Sequence, residues 1–273
     1  AKRQIETDYL PRKTKYEKAK ATFKGRNSYS KTDEEATFMR MKEDHMLNGQ
    51  LKPGYNIQVG TENNFVIGYA VFPNPTDTRT FIPHLENVQN RLKCKFKTVI
   101  ADAGYGSEEN YDYLEEKEIT GIVKYPSYEK ETKRSFKKKI FNAENWKYDA
   151  EQKEYTCPCG NPVPYKKTVT KKNESGYMQT YEVYQCDNCE GCPFRALCTK
   201  SEYGRMVQRN EHWLEQKAKV KELLATYEYK KLMKERSTEC ETVFGQIKGN
   251  LHFRRFYLRG NKKVGTEWGL LMI

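Results

Sequence analysis

The sequence predicts an α/β fold: a mixed sheet with flanking helices, interrupted by a small cysteine-rich insert. Residues 54–59 alternate, with Tyr55, Ile57 and Val59 on one face and Asn56 and Gln58 on the other, which is the strand period. A turn at 61–64 leads into the unbroken apolar run 65–71, so the two strands form a hairpin whose second strand is covered on both faces. Phe81, Leu85, Val88 and Leu92 then recur at spacings of 4, 3 and 4, one apolar helical stripe. Six of the eight cysteines crowd between positions 157 and 198.

The length of 273 residues allows one large domain, or a domain with a substantial insert. Lysine and arginine number 49 against 37 acidic residues, a net charge of +12 that points to a polyanionic partner such as nucleic acid. No apolar run approaches the ~20 residues that a membrane span requires, so no membrane partner is expected. Aromatic residues at 13% supply enough buriable surface to argue against disorder. The chain opens without an apolar signal segment or a methionine and stops inside the apolar stretch 269–273. The expectation is a piece of a longer protein at both ends.

In order along the chain, residues 1–29 are polar and basic, a solvated linker or helix. Residues 30–125 form the first part of the core. Within them Pro73 and Pro75 break the hairpin, and Asp77 is placed to cap the helix that follows. The short apolar run 99–101 leads into Asp102, and Ser107 is an N-cap with Glu108 and Glu109 in the first helical turn. A further strand is expected at 120–125. Residues 126–205, with basic clusters at 133–134 and 137–139, lose helical periodicity and read as an insert. Residues 206–273 return to helix, with Leu214, Leu223, Leu224 and Leu232 among lysines and glutamates, and end in a basic tail.

Asp102 stands where the carboxyl end of a strand would expose it, the edge at which α/β sheets hold ligands. An ordinary turn in which it bonds its own backbone is an equal reading.

Two blocks break the tie. Residues 100–105, Ile-Ala-Asp-Ala-Gly-Tyr, and residues 236–250, with Glu241 and Lys248 at their centre, resemble blocks of the DDE transposases of bacterial insertion sequences. The likeness runs in order from Ser30 onward. It implies an RNase H-like core, whose order of hairpin, helix, strand, helix and strand is present without the first strand. It also implies two-metal phosphoryl transfer that cuts double-stranded DNA at transposon ends and joins the 3′-hydroxyl to target DNA. Asp102 and Glu241 would hold Mg²⁺ (or Mn²⁺), a hard ion suited to carboxylate oxygen, with Lys248 on the same helix face as a phosphate-facing cation. The setting implied is a bacterial cytoplasm, with a homodimer on DNA.

Two departures from the family pattern stand out. The family's Tyr and Arg offsets before the glutamate fall on Lys234 and Ser237, with Arg236 one residue out of register. The first aspartate's block is missing, since Asp33 and Asp44 lie in polar settings, so this acid is expected upstream of Ala1. A non-catalytic DNA-binding remnant, or a nuclease of the same fold, is the alternative.

Cys157 and Cys159 precede Cys186, Cys189, Cys192 and Cys198, the two groups being 26 residues apart, and together they resemble a zinc ribbon. Cys157, Cys186 and Cys189 are expected to hold a structural Zn²⁺, with the fourth ligand open among Cys159, Cys192 and Cys198. In the tail, Arg254, Arg255 and Arg259 alternate with rings as phosphate-gripping surfaces do, with Phe253 and Phe256 as anchors.

Overall fold

A computed structural model describes residues 2–41 and 47–273; Asp44 lies outside the described residues. The basic N-terminus is helical, a π turn Ile5–Tyr9 leading into α1 (Leu10–Phe23), which buries no residue. The Arg26 guanidinium ties its end to the next loop by donating to the carbonyls of Thr22, Phe23, Glu34 and Glu35.

Strand β1 (Thr37–Arg40) pairs antiparallel with β2 (Leu51–Gly54). The expected hairpin follows as β3 (Asn56–Glu62) and β4 (Phe65–Phe72). Asn63 and Asn64 turn it at φ values of 51° and 66°, the left-handed backbone a two-residue hairpin turn needs. Helix α2 (Phe81–Leu92) covers one face and carries the stripe: Phe81, Leu85 and Val88 are buried, while Leu92 reaches solvent at the helix end. Contact there is close enough that a β-carbon on Gly68 would lie 2.5 Å from Val88 Cγ2. The second core unit is β5 (Thr98–Ala101), α3 (Glu108–Glu116) and β6 (Thr120–Val123), with β5 and β6 parallel. Ser107 caps α3 as expected, its Oγ accepting the Asn110 N–H at 3.3 Å.

The chain is therefore mixed α/β with the element order read from the sequence, but the β3–β4 and β5–β6 ladders are separate rather than one continuous sheet. They are joined through turns and helices. The turn Asp77–Arg79 packs on the turn Ala103–Tyr105, and α5 (Tyr227–Gly245), reached after α4 (Glu211–Ala225), lies across both β3 and β5. The core gathers Phe81, Leu85, Ile122, Val123, Tyr125, Val220 and Leu224 from α2, the β6 segment and α4. Helix α6 (Asn261–Leu271) packs on β4.

Residues 147–209 build a second, antiparallel sheet in the order β11-β10-β9-β8-β7: β7 (Lys147–Asp149), β8 (Glu154–Thr156), β9 (Pro162–Lys172), β10 (Met178–Gln185) and β11 (Met206–Arg209). It has its own core of Tyr155, Val163, Tyr184, Cys186 and Val207. The largely exposed β9–β10 ribbon leans its tip on α3, where Asn173 donates to Glu109 at 2.9 Å and Gln179 to Glu108 at 2.7 Å. Among the described residues, no helix is long and apolar enough to cross a membrane.

Candidate acidic site and thiol cavity

Strand β5 ends at buried Ala101, and Asp102 then stands exposed with extended backbone, opening the turn Ala103–Tyr105. Its Oδ1 accepts the Ala103 N–H at 2.7 Å, so the Asx turn forms with one oxygen only.

The turn packed against this one opens on Asp77. Its carboxylate does not cap α2, contrary to the sequence expectation; its backbone carbonyl takes the Thr80 N–H and hydroxyl instead. Asp77 Oδ1 accepts Asn56 Nδ2 at 2.8 Å and Gln58 Nε2 at 3.2 Å. The polar face of β3 thus points inward, and Gln58 is only 1% exposed. These amides are buried because they have fixed partners: Gln58 Nε2 also reaches Asn56 Oδ1 at 2.8 Å, and Tyr105 donates its hydroxyl to Gln58 Oε1. Asp77 Oδ2 faces Gly104, where a β-carbon would come within 3.0 Å of it, so glycine leaves room at that oxygen. Burial raises the Tyr105 phenol above its ordinary range, with the nearby carboxylates of Asp77 and Asp102 adding to the rise and Arg236 opposing it.

Helix α5 turns Cys240 toward the strands, its sulfur 3.4 Å from Thr61 Oγ1, and the Arg236 Nε is buried without a hydrogen-bond partner. Glu241 comes next on the helix and is exposed on its flank. Lys248 lies in a π turn, Gln246–Asn250, where the wider period interrupts the straight i+7 face expected from the sequence. Asp33 has a different job: it accepts the Tyr55 hydroxyl at 2.7 Å and the Gly260 N–H at 3.4 Å, holding the tail. Among the described residues, no three His, Cys, Asp or Glu side chains converge as a ready-made metal cage.

In the tail the rings do anchor. Phe253 and Phe256 pack on each other at 5.2 Å and on buried Trp268 at 6.2 and 6.0 Å, while Arg254, Arg255 and Arg259 are exposed. Arg259 donates to the Thr32 carbonyl at 3.2 Å.

All six clustered cysteines, Cys157, Cys159, Cys186, Cys189, Cys192 and Cys198, line one cavity of about 20 Å³. Cys159 and Cys192 touch at 3.1 Å between sulfurs, and the Arg205 N–H points at Cys189 Sγ at 3.3 Å.

These features define a mixed α/β protein with acids at the carboxyl end of a strand and a helix laid over them. Residues 156–273 match the family model described as a transposase DDE domain, bearing out the resemblance to the DDE transposases. That stretch contains the thiols, Glu241, Lys248 and the arginine tail, and Asp77 and Asp102 lie upstream of it. Comparison with curated proteins and with solved structures gives no match.

Proposed function

We propose that the chain is catalytic machinery of a transposase, cutting and joining double-stranded DNA by metal-assisted phosphoryl transfer, with Asp77 and Asp102 as strand-side acids and Glu241 as the helix-side acid. The carrying observation is that two turns, each opening on an aspartate, pack together with the first aspartate already held by two amides. Carboxylate oxygens are hard donors of the kind Mg²⁺ or Mn²⁺ takes, although among the described residues no three such side chains converge as a cage, so DNA phosphate and water would complete the shell. Bound there, such an ion would polarise a phosphate and favour ionisation of the attacking hydroxyl.

The chain's own residues do the positioning. Asn56 and Gln58 fix the Asp77 carboxylate, and Tyr105 holds Gln58. Lys248, Arg254, Arg255 and Arg259 supply cations for the DNA backbone. Such an enzyme works in the bacterial cytoplasm and as a homodimer if it bridges paired element ends. On this reading Asp77 would stand in for the first acid, which the sequence reading expects upstream of Ala1.

The test pairs DNA binding with cleavage in Mg²⁺ or Mn²⁺ for the wild type, D77N, D102N and E241Q, and adds Mn²⁺ titration. Each substitution should cut cleavage by ~10² or more, and D77N and D102N should weaken Mn²⁺ binding, with DNA affinity kept. D77N cleaving like wild type removes Asp77 from the site. A wild-type chain that binds DNA but neither cuts it nor takes up Mn²⁺ supports the non-catalytic remnant instead.

A further inference from the structure

Residues 2–23 are helical, and the rest of the chain leaves this helix bare. The turn Ile5–Tyr9 and α1 bury no residue, and Ile5, Tyr9, Leu10 and Tyr16 are all exposed. Most helices in proteins are stabilised by packing an apolar face, and this one packs none. Nine lysines and arginines stand against three acids in residues 1–29, so about a tenth of the chain carries half of its net charge of +12. Among the described residues, ion pairs in this segment reach only Arg12, to Asp8 at 2.7 Å, and Lys13, to Glu17 at 4.0 Å. Lys15, Lys18, Lys20 and Lys24 pair with no acid.

The helix is nevertheless fixed at its base. The Arg26 guanidinium donates to the carbonyls of Thr22 and Phe23 at the end of α1, and to those of Glu34 and Glu35 in the loop beyond, at 2.7 to 2.9 Å. The same loop holds the arginine tail. The Thr32 carbonyl accepts Arg259 at 3.2 Å, and Glu35 Oε2 accepts the Asn261 N–H at 2.6 Å. Loop 30–35 is thus bonded both to the base of the basic helix and to the segment that contains Arg254, Arg255 and Arg259.

Charge and shape decide what the helix can meet. Leu10 lies about 100° round the helix from Tyr9, so the apolar groups form no stripe wide enough for a lipid surface or an apolar partner. A second copy would set one strongly basic helix against another. Duplex DNA is the polyanion that matches. At ~1.5 Å per residue the helix is about 33 Å long, close to one turn of duplex. Tyr9, Arg12, Lys13, Tyr16, Glu17 and Lys20 share one face, which sets cations beside hydroxyl donors, the groups that contact phosphate.

We propose that the helix of residues 2–23 is a second DNA-backbone contact, laid along the phosphates of duplex DNA and tied to the arginine tail through loop 30–35. This rests on the reading that the chain acts on DNA, and it assigns that partner a surface beyond the tail.

The test uses the full chain, a duplex of about 20 base pairs, or two turns, and fluorescence anisotropy over a salt series. K15Q/K18Q/K20Q should make the log–log slope shallower by about 2–3, with helix content and unfolding midpoint unchanged, because glutamine keeps the helix and none of the three is buried. R26K keeps every charge but gives up the forked bonds, and should weaken DNA binding severalfold. A photoreactive phenylalanine in place of Tyr16, on an otherwise unaltered chain, should crosslink to the duplex. Equal affinity and slope for K15Q/K18Q/K20Q and the wild type, or a crosslink to a second copy in place of DNA, would overturn this inference alone. R26K binding as tightly as wild type would overturn the role of the loop. A wild-type chain without affinity for duplex DNA even at low salt would instead remove the reading on which the inference rests.

Discussion

Asn56 Nδ2 donates to Asp77 Oδ1 at 2.8 Å, joining the start of β3 to the turn before α2. A leucine at Asn56 leaves that oxygen with Gln58 alone and puts an apolar group against a carboxylate. N56L should lose about 1–3 kcal/mol of stability in urea unfolding. On the proposed function it should also lower metal-dependent cleavage more than it lowers DNA affinity.

Gly104 makes a steric prediction. Alanine there must push against Asp77 Oδ2 across 3.0 Å. G104A should keep the fold, since Gly104 does not need a left-handed backbone, yet weaken Mn²⁺ binding severalfold in a titration. Unchanged Mn²⁺ affinity would show that the ion does not use this oxygen.

Much of this was readable beforehand. The Phe81, Leu85 and Val88 stripe announced α2, and the run into Asp102 announced β5, because burial of one apolar face is a local, periodic signal. The sequence puts Asn56 and Gln58 together on the polar face of β3, a pattern that ordinarily meets solvent. They turn inward because their partners, Asp77 and Tyr105, are distant in sequence. For the same reason Asp77 looked like a helix cap. The β9–β10 ribbon gave no alternating apolar signal, since nearly all of β9 is exposed.

Glu131 governs acid stability at the seam with α4. Burial pushes its carboxyl up, but hydrogen bonds from Lys217, Ser127, Lys221 and Tyr125 outweigh that and hold it at about 2. Its folded value lies below the unfolded 4.5, so this stabilisation is complete above 4.5 and is lost as pH falls toward 2. E131Q should cost about 1–3 kcal/mol at neutral pH, by leaving buried Lys217 only the longer pairing with Glu144 at 3.8 Å, and should flatten the stability profile in that window.

His84 acts in a higher window. Burial beneath the hairpin lowers it from 6.5 to about 4, so the folded chain keeps it neutral while the unfolded chain takes up a proton. Stability should therefore fall as pH drops from 6.5 toward 4. Denaturant titrations of H84F should lack this slope while retaining the one from Glu131.

DNA affinity should fall steeply with salt, and R254A and R255A should each make the log–log slope shallower by ~1. Equal slopes for the variants and the wild type would move the phosphate contacts elsewhere.

The grip of the five-stranded sheet on α3 also bears on how the chain folds. Residues 103–240 separate Asp102 from Glu241, and as unstructured chain they would cost roughly 4 kcal/mol of closure entropy. The second sheet has its own tyrosine-rich core and clasps Glu108 and Glu109 with the β9–β10 tip, a contact that, once made, would shorten that loop for α5. Loosening the tip, for instance at Asn173, should slow refolding of the α5 contacts more than it speeds unfolding.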